Sequence, residues 1–114
     1  VRLPEASIIK SPEVEAAMLK VDRGDYSKHS AYEDSPQLIG SQDKSDWTKC
    51  TILIPALLPT FTSGVTISAP HMHAYCLEAL KTHLKPGNTV LDIGSGSGIF
   101  SAYMAEMVSG SKED

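Results

Sequence analysis

Residues 89–99 read Thr89-Val90-Leu91-Asp92-Ile93-Gly94-Ser95-Gly96-Ser97-Gly98-Ile99. The first five are largely apolar and predict a short buried strand. Glycine then recurs at every second position, which leaves the backbone open to a flat or charged ligand with no Cβ in the way. From Ile99 onward, Phe100, Tyr103, Met104, Met107 and Val108 recur at helical spacing. Strand, glycine turn and helix make the first half of a βαβ unit, and the fold class that follows is α/β and Rossmann-like. Such a turn aims backbone N–H groups and a helix N-terminus at its ligand. The spacing also excludes two ligand classes. The dinucleotide pattern G-x-G-x-x-G needs glycine where Ile99 stands, and no Gly-Lys-Ser/Thr follows to make a P-loop.

Upstream, Ser11-Pro12-Glu13 is a helix start: a hydroxyl cap, proline at the first helical position, then an acid. Val14, Ala17, Met18 and Val21 form one stripe, and Gly24 is expected as a left-handed stop. Residues 25–40 carry no period and read as loop. Residues 41–64 differ in character: a polar run, then Ile52-Leu53-Ile54-Pro55-Ala56-Leu57-Leu58-Pro59, which the prolines bar from helix. Ser68 is expected to cap a second helix with Pro70 in its first turn. Tyr75, Cys76, Leu77, Ala79, Leu80 and Leu84 are expected on its apolar side. Lys85-Pro86-Gly87-Asn88 then closes it with a tight turn.

Composition narrows the function classes. The 114 residues carry 10 basic and 14 acidic groups, net -4, with 41% hydrophobic residues, enough for one small domain or part of a larger one. The acidity argues against nucleic acid, which favours a basic face. No run approaches the ~18 apolar residues of a membrane-spanning helix. Cys50 and Cys76 lack metal-ligand spacing and read as reduced thiols of a cytoplasmic protein. His71 and His73 sit two apart on a helix, on different faces, a poor metal pair. Met104 and Met107 read as core, and His29 and His83 as surface.

G-x-G-x-G with Asp92 two residues ahead resembles the first motif of class I S-adenosylmethionine methyltransferases. A second constellation narrows the likeness. Tyr32-Glu33-Asp34-Ser35-Pro36-Gln37-Leu38-Ile39-Gly40 and Val65-Thr66-Ile67-Ser68-Ala69-Pro70-His71-Met72-His73-Ala74-Tyr75 closely resemble protein-L-isoaspartate O-methyltransferases. The likeness covers residues 7–40 and 65–109. It implies an enzyme that methylates the free carboxyl of L-isoaspartyl residues in damaged proteins and peptides, with S-adenosyl-L-methionine as cofactor. It implies a monomer that needs no nucleic acid or membrane. By the same likeness Ser68 is the catalytic residue. Val65, Thr66, Ile67, Ser68, His73, Asp92, Gly94, Ser95 and Gly96 match positions that line the cofactor site.

Two departures shape the expectation. About three residues link the Pro-Gln-x-Ile-Gly and Thr-Ile-Ser segments in such enzymes, whereas residues 41–64 intervene here. These are either a real insertion or an artefact of the gene model. The family also continues through further strands and helices. The domain expected over 1–114 is therefore partial: N-terminal helix and loop at 7–40, insertion at 41–64, and active-site helix, first strand, glycine turn and following helix at 65–109. Such a truncated fold is expected to lack most of the cofactor pocket. The competing readings are another class I methyltransferase, acting on RNA or a small molecule, and a non-catalytic truncated product.

Overall fold

The computed structural model describes residues 8–27, 30–38 and 66–110. Helix α1, Pro12–Lys20, starts where the proline and the first-turn acids Glu13 and Glu15 place it. Val14 and Ala17 are buried and Met18 and Val21 half-buried, so the expected stripe faces the core. Two details of its ends differ from expectation. Ser11 is the N-cap residue, but its side chain makes no cap bond within the helix. Glu78 of a later helix holds the segment just ahead of α1 instead, accepting from the N–H groups of Lys10 at 2.6 Å and Ser11 at 2.7 Å and from Ser11 Oγ at 2.8 Å. The helix also ends at Lys20 rather than near Gly24, because Val21 turns extended at φ -96° and ψ 112°.

Arg23–Asp25 then forms a 3-10 turn whose cap is Asp22, its side chain accepting from Gly24 N–H at 2.8 Å. Gly24 is not a left-handed stop, since it is absent from the positive-φ glycines. It serves close approach instead: a Cβ there would lie 2.6 Å from the Tyr32 hydroxyl. Strands β1, Gln37–Leu38, and β2, Thr66–Ile67, pair antiparallel with Gln37 opposite Ile67 and Leu38 opposite Thr66. The span read as loop thus contributes one strand. So short a ribbon is not stable alone; it delivers the chain into the next helix.

Helix α2, Pro70–Leu80, has Ala69 as N-cap, with Ser68 one position too early to cap it. Asp34 from the loop serves instead, accepting from His71 N–H at 2.9 Å. The buried face is Pro70, His73, Ala74 and Leu77, one stripe at i, i+3, i+4 and i+7. Tyr75 and Leu80, expected inside, face solvent, while Leu84 is buried as expected. Helix α3, Ile99–Ser109, buries Ile99, Tyr103, Met104 and Met107. It packs on α1, and α1 in turn on α2. The shared core joins Val14 and Ala17 to Ile67, Leu77, Leu84 and the α3 residues.

Residues 89–93 do not form the expected buried strand. Leu91 is 82% and Ile93 86% exposed, and the segment enters no sheet. A strand exists by pairing its backbone N–H and C=O groups with a neighbour, and among the described residues the only sheet is β1 with β2. No helix among the described residues is long and apolar enough to cross a membrane. The expectations for Cys50, His29 and residues 41–64 lie outside the described residues.

Candidate functional site

The glycine turn has the shape its composition demands. Gly94, Gly96 and Gly98 sit at φ +83°, +56° and +84°, a region that L side chains occupy only with strain. Gly98 N–H donates to Ser95 O at 2.9 Å, and Gly98 O accepts the first bond of α3 from Ala102 N–H at 3.0 Å. The helix N-terminus is thereby aimed past the turn, where its unpaired N–H groups favour a polar or anionic ligand. Asp92, just ahead, is oriented by Ser101 of α3, whose Oγ donates to Asp92 Oδ2 at 2.5 Å.

The turn opens onto a cleft of about 310 Å³. Thr66, Ile67 and Ser68 line it together with His73 of α2 and with Asp92, Gly94, Ser95 and Gly96. The structure thus gathers eight of the nine residues singled out from sequence; the ninth, Val65, lies outside the described residues. Met72, Cys76, Ser97, Ile99 and Phe100 complete the lining. Periodicity gave no warning for Cys76 and Met72, because it sorts residues into core and solvent, and a cleft wall is neither. Ser68 and Thr66 are exposed toward it, while Ile67 is buried and ties β2 to the core.

The electrostatics beneath the cleft were not legible in the sequence. Arg23 is 3% exposed. Its Nη2 donates to the Ser68 carbonyl at 2.7 Å, and its Nη1 lies 3.4 Å from His73 Nδ1. Burial lowers the affinity of this guanidinium for its proton, with Tyr103 opposing the effect. His73 is packed between the rings of Phe100 and Tyr103, at 5.6 and 5.7 Å between centroids. Burial, reinforced by the Arg23 charge, pushes its imidazole down to about 4. His73 is therefore neutral at pH 7. Because a guanidinium only donates, Nδ1 is the accepting nitrogen and the proton resides on Nε2. Burial likewise pushes the Tyr103 phenol up, against the pull of Arg23.

His71 faces the other way, exposed, with Nδ1 2.8 Å from Asp34 Oδ1. The two histidines point to different partners, His71 to Asp34 and His73 to Arg23. Partial burial works to raise Asp34, but the N–H and ring of His71 outweigh it and hold its carboxyl below the usual range.

Can these residues hold S-adenosylmethionine? The donor set fits: a carboxylate at Asp92, open glycine backbone at 94 and 96, a helix N-terminus, and apolar walls from Met72 and Phe100 for an adenine face. A Cβ at Gly94 would meet nothing within 4 Å, so the space above it is open for a ligand.

Comparison with known proteins points the same way. The family model described as protein-L-isoaspartate(D-aspartate) O-methyltransferase matches residues 1–113. Protein-L-isoaspartate O-methyltransferase 1 of Arabidopsis thaliana is 44% identical over 108 residues, which cover 93% of this chain and 37% of that protein. The Caenorhabditis elegans protein-L-isoaspartate O-methyltransferase is 41% identical over 92 residues, covering 81% of this chain and 31% of its own length. A crystal structure described as a protein-L-isoaspartate O-methyltransferase of Plasmodium falciparum, in complex with S-adenosyl-L-homocysteine, superposes with a TM-score of 0.67 at 39% identity. It is matched over 90% of this chain and 37% of that one. The chain thus spans about a third of the length of the curated relatives it matches.

Proposed function

The chain belongs to the protein-L-isoaspartate(D-aspartate) O-methyltransferase family, and from this we propose that it supplies the methyl-donor turn and the carboxyl-positioning serine of a protein repair methyltransferase. The substrate is the free carboxyl of L-isoaspartyl residues in damaged proteins and peptides. One observation carries the reading: pieces of chain far apart in sequence, residues 66–73 and 92–96, converge on one cleft. We place in it the same residues as the sequence did: Thr66, Ile67, Ser68, His73, Asp92, Gly94, Ser95 and Gly96 toward the cofactor, with Val65 preceding them and Ser68 also toward the substrate. The acidic balance of the chain, net -4, supports a partner other than nucleic acid. The setting proposed is a cytoplasmic monomer.

The chemistry asks little of acids and bases. The accepting carboxyl, with a pKa of about 3.5–4, is already ionised at pH 7. S-adenosylmethionine, when bound, supplies a sulfonium methyl group that needs no further activation. What the chain supplies is alignment, which in well-held pairs is worth about 7–11 kcal/mol. Asp92 and the glycine turn hold the donor side, and the Ser68 hydroxyl donates a hydrogen bond to the incoming carboxylate. Neutral His73, in contact with the Phe100 and Tyr103 rings, lines the cleft without adding charge. The ester leaves the cleft and can cyclise to a succinimide.

Replacing the matched part of the Plasmodium falciparum relative with this chain gives a chimera in which the proposal can be tested. Ser68→Ala in it should lower kcat/KM for an isoaspartyl peptide by about 10- to 100-fold, the value of one hydrogen bond to a charged group. Affinity for S-adenosylhomocysteine should change less than threefold. Unchanged kcat/KM would show that Ser68 does not position the substrate.

A further inference from the structure

The cation beneath the serine lies outside the cleft lining. Long basic side chains usually carry their charge outward to water; Arg23 turns inward, with Nε bonded to nothing among the described residues. Its hydrogen bond at 2.7 Å is to a neutral carbonyl, His73 Nδ1 lies 3.4 Å from the other amino group, and the Tyr103 phenol also interacts with the guanidinium. A buried guanidinium held by such partners is costly to keep for stability alone. The fork, however, reaches two cleft-lining residues at once: Nη2 donates to the Ser68 carbonyl, and Nη1 faces the His73 ring.

We propose that Arg23 is the positioning residue for Ser68, its planar fork fixing the Ser68 carbonyl and the His73 ring together so that the serine hydroxyl keeps one direction into the cleft. The inference rests on the reading that Ser68 meets the methyl-accepting carboxyl. A lysine would not substitute, because a single ammonium cannot span both partners in a fixed plane. The groups facing His73 are Arg23 from the 3-10 turn and Phe100 and Tyr103 from α3, with Asp34 adding its field to Arg23 from the loop.

Nuclear magnetic resonance on the 114-residue chain tests this without any catalysis. The wild-type chain should show a through-hydrogen-bond coupling from an Arg23 Nη to the Ser68 carbonyl carbon. Its Ser68 should occupy one χ1 well, and its His73 should carry the proton on Nε2. Arg23→Met should spread Ser68 over about three staggered wells and move the His73 midpoint upward as the charge disappears. Arg23→Lys, which keeps the charge and loses the fork, should leave the His73 midpoint low yet still release Ser68. A merely structural arginine would not separate those two readouts. One fixed Ser68 rotamer in a folded Arg23→Met chain overturns the proposal. If that variant does not fold, absence of the coupling in the wild type overturns it. Failure here leaves the methyl-transfer reading standing, and loss of transfer in the chimera leaves the coupling result standing.

Discussion

Glu78 ties α2 to the start of α1, and its replacement is the sharpest test of how the helices hold together. The carboxylate accepts three hydrogen bonds, from Lys10 N–H, Ser11 N–H and Ser11 Oγ, with Lys81 Nζ 3.3 Å away. Residual burial opposes ionisation, but these donors outweigh it and hold the carboxyl down at about 2, against 4.5 in the unfolded chain. By linkage that difference corresponds to at most about 3–4 kcal/mol of stability at pH 7. Its side chain is 12% exposed and Lys81 is largely solvated, so screening reduces the contribution to about 1–2 kcal/mol. The sign is that of a depressed acid: the stability is present above pH 4.5 and is lost as pH falls toward 2. His73 acts in the same direction over a higher window. It is neutral in the fold, so its contribution fades from pH 6.5 down to about 4. Comparing Glu78→Gln with the wild type at each pH removes that common background. Urea unfolding at pH 7 should place the variant about 1–2 kcal/mol lower, because glutamine accepts through one oxygen only. The gap should narrow below pH 4.5 and be mostly gone at pH 2. A gap that is zero at pH 7, or constant down to pH 2, would refute the tie.

Two further outcomes follow from packing. Gly24→Ala should cost about 1 kcal/mol by displacing the Tyr32 hydroxyl from Asp22, which it now meets at 2.6 Å. In a Tyr32→Phe background the same change should be nearly neutral, and a thermal-melt double-mutant cycle would show whether the two residues couple. Lys20 and Glu106 bridge α1 to α3 at 2.6 Å, but the lysine is 69% exposed, so Lys20→Ala should move the urea midpoint by less than about 0.5 kcal/mol equivalent.

What could be read beforehand, and what could not, has a physical pattern. The starts of α1 and α3 were legible because proline, acids and glycines act locally on the backbone. The cleft lining was legible through the Thr66-Ile67-Ser68 and Asp92-to-Gly96 segments, which likeness to known enzymes grouped together and which the structure places around one cleft. The face of α2 was misjudged because its stripe passes through Pro70 and His73, two types that rarely advertise burial, while Tyr75 and Leu80 advertise it and stay outside. The side-chain bonds at the two helix starts were hidden for one reason. Ser11 is the N-cap residue of α1, but its hydroxyl meets Glu78 instead of the helix, and at α2 the first-turn N–H of His71 is met by Asp34 rather than by Ser68. Long-range partners leave no trace in local spacing. Arg23 was hidden for the same reason: nothing near it in sequence signals that its charge turns inward. The strand at 89–93 has the right composition, yet composition cannot supply the neighbouring strand that pairing needs.

The central claim is that this chain carries the donor turn and acceptor-positioning serine of an isoaspartyl methyltransferase. Labelled methyl transfer by the chimera, measured on an isoaspartyl peptide and on its aspartyl twin, addresses it directly. The account predicts label on the isoaspartyl peptide, none above background on the twin, and loss of transfer when Asp92→Asn removes the charge beside the glycine turn. Equal labelling of both peptides would contradict it, as would no labelling by a chimera that still binds S-adenosylhomocysteine.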